Sequence, residues 1–307
     1  MRVVVDAMGS DRAPGPEVAG ALRAVRAHDL DVTLVGDAVA LEAELARAGR
    51  TERDRVRVHH ASEVITMHDH PGHAFRAKPD SSMRIAVQLV HAAEGDAVIS
   101  AGNSGALLAC AMLVLGRLPG IDRPAIVTVL PTPAGPLVLC DAGANTEPKA
   151  TQLAQFALLG AAYDRAVHGR TPRVGLLSNG AEPGKGTPLT REAHALLLAA
   201  KGSFQYVGYV EGSDLFRGVV DVVATDGFTG NVVLKTCEGF GEAMFGHEKR
   251  FDYTEIGGAL LAGVTRPAVI AHGRSDENAI ASAIRAAAQF AERSLPDQLA
   301  AAISALG

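Results

Sequence analysis

Tryptophan is absent from the 307 residues, and aromatic side chains make up only 4% of them. Stacking platforms for nucleic-acid bases are therefore not expected. A basic surplus is missing as well. The formal net charge is −5, so there is no excess of cations to neutralise a phosphate backbone, and nucleic-acid binding is disfavoured as a main function. Cysteine is scarce and odd in number. Cys110, Cys140 and Cys237 are too few and too widely spaced for a disulfide framework or a Cys-based zinc site. Cys110 and Cys140 lie in apolar runs and read as small buried hydrophobes. The longest apolar run, Ala106 to Gly116, is too short to span a bilayer. The first residues pass straight into Val3–Val5 without the charged lead and long apolar core of a signal peptide. These absences point to a soluble, cytoplasmic chain. What is present is ordinary for a globular enzyme. Hydrophobic residues are 48% and charged residues 21%, in a chain long enough for one large α/β domain or two of average size.

Short β-branched runs alternate with longer helical patterns. Val3–Val5, Val32–Val35, Ala97–Ser100, Ala125–Leu130, Leu137–Cys140, Val174–Leu177, Val219–Ala224 and Ala268–Ala271 read as strands. Several are continuously apolar, as strands are when helices cover both faces of their sheet. The clearest helix comes last: Ile280, Ile284, Ala287, Ala288 and Ala291 follow helical spacing after the capping candidates Ser275 and Asp276. This alternation predicts a layered, largely parallel α/β fold. Without an internal repeat, low-complexity tract or linker, residues 1–307 read as a single domain. The stretch Pro131–Pro136 reads as a hairpin connection.

Strand after strand ends in a small, polar, glycine-bearing loop. These are Asp6–Asp11, Ser100–Gly105, Asp141–Asn145, Ser178–Gly180, Asp226–Asn231 and Ala271–Arg274. Ligands of open α/β sheets bind beyond the carboxyl ends of the strands, where glycine lets backbone approach a ligand and helix N-termini attract anions. Each loop alone reads as a tight turn; six on one edge point to a composite site. The sequence from Ser178 to Thr190 resembles a nucleotide-binding P-loop but fails twice. Gly180 and Gly184 are separated by three residues rather than four, and Gly186 stands where the metal-holding hydroxyl belongs. A lysine, Lys185, in a glycine-rich anion cradle survives. No dinucleotide fingerprint follows the first strand, and no Gly-x-Ser-x-Gly elbow occurs. His68-Asp-His-Pro-Gly-His73 lacks zinc spacing and reads as a loop. Cys237 follows Lys235, which could lower its pKa, but its helical, apolar setting reads as packing.

The loops resemble those of the bacterial phosphate acyltransferase (PlsX) family. The match begins at Val5-Asp-Ala-Met-Gly-Ser-Asp11, where the family usually has a second glycine in place of Ser10. It runs through Lys78-Pro-Asp-Ser-Ser-Met83, Ser100-Ala-Gly-Asn-Ser-Gly-Ala-Leu-Leu108 and Gly116-Arg-Leu-Pro-Gly-Ile-Asp-Arg-Pro124. Asp141-Ala-Gly-Ala-Asn145, Glu182-Pro-Gly-Lys-Gly-Thr187 and Val210-Glu-Gly-Ser-Asp-Leu-Phe216 follow. It closes with Asp226-Gly-Phe-Thr-Gly-Asn-Val-Val-Leu-Lys235, Gly257-Gly-Ala-Leu-Leu261 and Ala271-His-Gly-Arg-Ser-Asp276.

The resemblance implies a layered α/β/α fold like that of isopropylmalate dehydrogenases and phosphotransacetylases. It implies transfer of a long-chain fatty acyl group from acyl carrier protein to inorganic phosphate. The acyl phosphate would feed phospholipid synthesis through an acyl-phosphate:glycerol-3-phosphate acyltransferase. A homodimer is implied, with no organic cofactor and no metal. Phosphate would itself be the nucleophile, so the protein's task is proximity and oxyanion stabilisation. By resemblance Lys185 and Asn231 are the catalytic candidates; a helix cap is the alternative role for Asn231. Asp6, Gly9, Asn103, Ser104, Gly105, Asp141, Asn145, Gly184, Asp226 and Gly230 are the phosphate- or substrate-binding candidates. Asp6 and Asp141 would orient donors or cap turns. Arg76, Lys78, Arg84, Lys249 and Arg250 are candidates for a basic face toward an acidic carrier protein. A phosphotransacetylase-like transfer from acyl coenzyme A and a non-catalytic phosphate- or nucleotide-binding protein are the alternatives.

The resemblance departs in one place. After Gly239–Phe245 the family carries a longer basic and apolar helical stretch, associated with dimer contact and membrane docking. Here Gly246–Tyr253 leads early to Gly257, so the extension near 240–256 is missing or much reduced. Peripheral membrane association is expected from the family, and this shortening counts against it, since no strongly amphipathic helix replaces the segment.

Overall fold

The structure, a computed structural model, describes residues 1–47, 49–200, 204–245 and 257–304. The chain divides into two compact units, Met1–Gly116 with Tyr253–Pro296, and Arg117–Asp252 with Asp297–Gly307. No linker-like composition marks the crossings.

The first unit opens with β1 (Arg2–Asp6), α1 (Gly15–Ala27), β2 (Asp31–Gly36), α2 (Ala38–Leu45), α3 (Arg50–Arg53) and β3 (Val56–His60). It continues with α4 (Pro71–Ala77), α5 (Ser82–His91), β4 (Ala97–Ser100) and α6 (Ser104–Cys110), the last extended by a wider turn over Ala111–Leu115. The second unit holds β5 (Ala125–Thr132), β6 (Gly135–Cys140), α7 (Ala150–His168), β7 (Arg173–Leu177), α8 (Pro188–Ala199), β8 (Gln205–Val210), β9 (Val222–Ala224) and α9 (Gly227–Phe245). The chain then returns to the first unit through β10 (Ala259–Ala262), β11 (Ala268–Ile270) and α10 (Glu277–Glu292), and ends in α11 (Leu295–Ser304).

In the first unit the strands run in the order β3-β2-β1-β4-β11-β10. All neighbours are parallel except β10, which is antiparallel to β11. Val35, Asp6, Ser100 and Ile270 lie in one row across β2, β1, β4 and β11. The chain moves outward from β1 to β3 and then returns to the other side of β1 with β4. This reversal is where α/β sheets bind ligands. In the second unit the order is β5-β6-β9-β7-β8. The β5/β6 pair is an antiparallel hairpin, and β6, β9, β7 and β8 are parallel. Cys140, Ala224 and Leu176 share a row. Here the reversal lies between β7 and β9.

The apolar runs are strands because both faces are covered: β4 and β9 are buried at every position, and β1 from Val3 onward. All eight runs read as strands prove to be strands, although one is shortened at its start. β9 begins at Val222, and Val219 is exposed. Three further strands were not read from the sequence. The edge strand β3, Val-Arg-Val-His-His, is half exposed, β8 is exposed over its first half, and β10, Ala-Leu-Leu-Ala, has no periodicity of its own. Thr132 pairs with Gly135 across the two-residue turn between β5 and β6, and Thr132 Oγ1 donates to the Gly135 carbonyl at 2.7 Å. α10 follows the helical spacing read from the sequence. Its cap is Asp276, whose carboxylate accepts from the Asn278 and Ala279 N–H groups, while Ser275 is buried one residue earlier.

The histidine stretch 68–73 is a loop only as far as His70. Pro71 opens α4 with His73 inside it, because proline suits the first helical position. Among the described residues no group of three or more His, Cys, Asp or Glu is arranged to hold a metal. Cys110 and Cys140 are buried, which pushes the Cys110 thiol up to about 12 and the Cys140 thiol upward as well. Burial, with Glu238 nearby, also raises the Cys237 thiol. Lys235 does not activate it, because its ammonium pairs with Glu238 at 2.7 Å. Among the described residues no helix is long and apolar enough to cross a membrane.

Candidate functional site

Three of the six loops belong to each unit.

In the second unit, β6, β9 and β7 end side by side and release the loops 141–145, 225–231 and 178–187 from one edge. Asp141 organises this edge. It is fully buried, and all its bonds run to loop and strand donors. Its Oδ1 accepts the N–H groups of Ile126 at 2.9 Å, Gly143 at 3.1 Å and Ala144 at 3.0 Å. Its Oδ2 accepts the Asn145 N–H at 2.7 Å and the Asn145 Nδ2 at 2.9 Å. Burial pushes this carboxyl upward, and the hydrogen bonds from Ala144, Ile126 and Asn145 pull it back. Asn145 is equally committed. Its Nδ2 also donates to the Pro124 carbonyl at 2.9 Å, and its Oδ1 accepts from Arg123 Nε at 2.9 Å. As direct phosphate ligands, Asp141 and Asn145 have no free side-chain group to offer; they shape the loop instead.

α9 begins against this loop. Asp226 caps it, with Oδ1 accepting the Thr229 N–H at 2.8 Å and Oδ2 accepting the Thr229 hydroxyl at 2.8 Å. Glycine is required where the helix crosses the loop: a Cβ at Gly230 would lie 1.9 Å from the Asp141 carbonyl oxygen. Asn231 is inside the helix, so the capping role weighed for it belongs to Asp226. It is exposed and lies over Gly143, where a Cβ would come 3.5 Å from Asn231 Oδ1. Its amide has no hydrogen-bond partner among the described residues.

The lysine loop leaves β7, next to β9. Asn179 Oδ1 accepts the Gly186 N–H at 3.0 Å, and Gly186 adopts a positive φ of 85°. Thr187 caps α8 by accepting the Thr190 N–H at 3.2 Å. Gly184 is open and exposed. Lys185 is exposed and its stem lies over Gly180, where a Cβ would meet its Cγ at 2.8 Å. Among the described residues its ammonium has no partner. Lys185, on the loop after β7, and Asn231, near the start of α9 after β9, thus flank the β7/β9 reversal, each with a donor unengaged among the described residues.

In the first unit, β1, β4 and β11 release the loops 6–11, 100–105 and 271–274. Asp6 is buried and accepts from Ser100 Oγ at 2.7 Å and, weakly, from the Met8 N–H at 3.4 Å. Burial raises its pKa, opposed by Ser82 and Ser100. Gly9 lets the loops touch: a Cβ there would lie 2.8 Å from the Gly102 nitrogen. The Asp11 N–H donates to the Gly273 carbonyl at 2.9 Å, which ties in the third loop. Asn103 caps α6 by accepting the Ala106 N–H at 3.1 Å, and its Nδ2 reaches the Asp69 carbonyl at 3.1 Å. Ser104 opens α6 with no side-chain partner among the described residues, and Gly105 lies beneath Pro71.

The basic face fares less well. Lys78 bonds Asp69 at 2.6 Å and the Val64 carbonyl at 2.8 Å. Arg84 donates to the Phe75 carbonyl and covers the Phe75 ring. Both are structural ties, Arg76 alone is exposed among the first three, and Lys249 and Arg250 lie outside the described residues, as do the other residues of 246–256. Three buried acids, Glu17, Asp164 and Asp221, were not singled out from the sequence. Glu17 sits on the apolar stripe of α1, in helical register with buried Ala21 and Ala24, and an acid on such a stripe is the signal that could have found it.

Two mostly parallel sheet regions, each reversing at a set of glycine loops, define a layered α/β fold with counterparts among solved enzymes. The structure resembles a phosphotransacetylase from Streptococcus pyogenes with a TM-score of 0.71 and 19% identity, over 95% of this chain and 94% of that one. A branched-chain phosphotransacylase from Enterococcus faecalis follows with a TM-score of 0.62 and 17% identity, over 96% and 99%. A 4-hydroxythreonine-4-phosphate dehydrogenase from Klebsiella pneumoniae gives 0.55 and 16%, over 95% and 99%. Sequence relatives are nearer. The phosphate acyltransferase of Geobacter sulfurreducens is 46% identical over 326 aligned positions, spanning 98% of this chain and 93% of its own length. That of Anaeromyxobacter dehalogenans is 47% identical over 328 positions, spanning 98% and 90%. The family model of the fatty acid synthesis protein matches residues 1–247 and 242–298. The chain belongs to this family, the phosphate acyltransferases, and it is an acyltransferase. Both alignments are longer than the 307-residue chain, so the relatives carry residues without a counterpart here, and the two pieces of the family match meet at 242–247.

Proposed function

We propose that the chain transfers a long-chain fatty acyl group from acyl carrier protein to inorganic phosphate, yielding acyl phosphate for phospholipid synthesis. The observation that carries this reading is that Lys185, on the loop after β7, and Asn231, near the start of α9 after β9, both keep unengaged donors at the β7/β9 reversal of a phosphate acyltransferase. A phosphate oxygen attacks the thioester carbonyl, the C–O bond forms, and the C–S bond breaks as the thiolate leaves and takes up a proton. The Lys185 ammonium holds phosphate or the developing oxyanion by charge. The Asn231 amide donates to the carbonyl or to a phosphate oxygen. Asp141 and Asn145 keep Gly143 beneath Asn231, and Asp226 fixes the start of α9. In the first unit, Asp6, Gly9, Asn103, Ser104 and Gly105 form the second loop set, with the Ser104 hydroxyl available to substrate. The chemistry needs no organic cofactor and no metal. An acyl-phosphate:glycerol-3-phosphate acyltransferase would consume the product.

A homodimer fits the same reading. Phe228, Val232, Phe240 and Met244 form an exposed apolar stripe along α9 at helical spacing.

The test is release of carrier-protein thiol from long-chain acyl carrier protein, with and without phosphate. Release should require phosphate and fall by about 10²–10³-fold in Lys185→Ala and Asn231→Ala, as when an oxyanion donor is lost. Near-wild-type rates in both variants would refute the site. Release from acyl coenzyme A but not from carrier protein would favour the phosphotransacetylase-like donor, for which the fold of the structural neighbours is the supporting observation.

A further inference from the structure

Glu17 is a buried acid that the chemistry above does not use. It stands in the first turn of α1, directly after the loop 6–11, and is fully buried. Among the described residues neither carboxyl oxygen has a hydrogen-bond partner, and the buried Ser10 hydroxyl has none. A charged carboxylate in such a place is costly. Burial pushes Glu17 up to about 7; Ser10, through its hydroxyl and N–H, favours the charged form without closing a hydrogen bond, and Asp6 opposes that charge.

The surrounding charges leave Asp6 as the group that faces Glu17. Asp6 in turn faces Cys110, whose raised thiol is neutral, and Arg84 acts on that same thiol. On α1 itself, Arg23 pairs with Glu277 of α10 at 3.0 Å and Arg26 with Glu52 of α3 at 2.9 Å, both toward solvent. Two buried acids therefore bracket a loop with no slack, since Gly9 already touches Gly102.

We propose that Glu17 is a positioning residue for acyl transfer to phosphate: while its carboxyl is neutral the loop 6–11 keeps its close approach to the loop 100–105, and when it ionises beside Asp6 the loop is driven from the β1/β4 edge. The inference rests on the reading that this edge takes part in substrate binding. Ionisation puts two like charges into a dry interior, and the available relief is displacement of Ser10 and its neighbours so that water reaches the carboxylate. The added negative charge also weakens binding of an anionic substrate.

The test compares full-length wild type, Glu17→Gln and Ser10→Gly in phosphate-dependent thiol release between about pH 6 and pH 8.5. Wild type should lose kcat/KM for phosphate as pH rises through about 7, and Glu17→Gln should not. All variants meet the same phosphate, so its own titration cancels in the ratio. The ratio of Glu17→Gln to wild type should rise on the order of tenfold between about pH 6 and pH 8. Ser10→Gly removes a group that favours the charge, so its limb should move to higher pH. A merely structural Glu17 would change stability and leave this ratio flat, and a flat ratio overturns the inference. Should Glu17→Gln fail to fold, Ser10→Gly decides alone, and an unmoved limb overturns it. Wild type without phosphate-dependent turnover at any pH sinks the functional reading and this inference together, whereas turnover with a flat ratio sinks only the latter.

Discussion

Replacing Asp141 by asparagine tests whether one carboxylate builds the β6 edge. The side chain keeps its size, but one oxygen becomes an NH2 group. If Oδ2 is replaced, the bonds from the Asn145 N–H and Nδ2 are lost, and two donors face a third. If Oδ1 is replaced, three donors are stranded: Ile126, Gly143 and Ala144. The cheaper choice still orphans two buried donors, each worth about 1–3 kcal/mol. Asp141→Asn should therefore lose about 3–5 kcal/mol, a large share of a typical domain's stability of roughly 5–15 kcal/mol. Urea unfolding followed by circular dichroism measures this, with the slope checked so that a changed unfolded state is not mistaken for lost bonds. Turnover should fall too, because the loop carries Gly143 beneath Asn231. A loss below about 1 kcal/mol at unchanged slope would refute the reasoning, since the buried donors would then have found other partners at little cost.

Gly230→Ala places a Cβ 1.9 Å from the Asp141 carbonyl oxygen, so α9 must shift; turnover should drop sharply, and a crystal structure showing α9 unmoved would contradict this. Burial raises the Asp221 carboxyl, but the Arg173 hydrogen bonds together with Arg170 outweigh it and hold the pKa below the ordinary value. Its contribution to stability is therefore full above the unfolded pKa and lost as pH falls through the lowered one, so Asp221→Asn should be less stable than wild type at neutral pH and converge with it in acid-unfolding curves. Glu17 behaves oppositely, because its carboxyl is raised from 4.5 to about 7. Wild-type stability should be full below about pH 4.5 and erode as pH rises through 7, so the advantage of Glu17→Gln in thermal melts should grow over that window to roughly 3 kcal/mol. Phe240→Glu, on the exposed apolar stripe, should shift sedimentation toward monomer; an unchanged mass would remove α9 from the dimer proposal.

Much of this protein was legible in the chain itself. Apolar runs such as Val3–Val5 and Val174–Leu177 declare buried strands because a doubly covered sheet demands apolar residues at every position. The helical stripe of α10 and its Asp276 cap are local patterns and were read as such. The glycine loops and their motifs were enough to reveal the phosphate acyltransferase family, since motif spacing survives without knowledge of contacts. Other features were decided by tertiary structure alone. The edge strands β3 and β8 carry no periodic signal because solvent accepts any residue on their open side. Asp141 and Asn145 looked like ligands in the same way as Lys185, and only the fold consumes their hydrogen bonds, through Ile126, Pro124 and Arg123 from an adjacent strand and the segment leading into it. Register decided which loops stand side by side, those after β1, β4 and β11 in the first unit and those after β6, β9 and β7 in the second. Composition and spacing are local properties, whereas satisfaction and burial are sums over neighbours that the chain brings together only by folding. That is why the sequence alone revealed the family but not which loop side chains the fold leaves without partners.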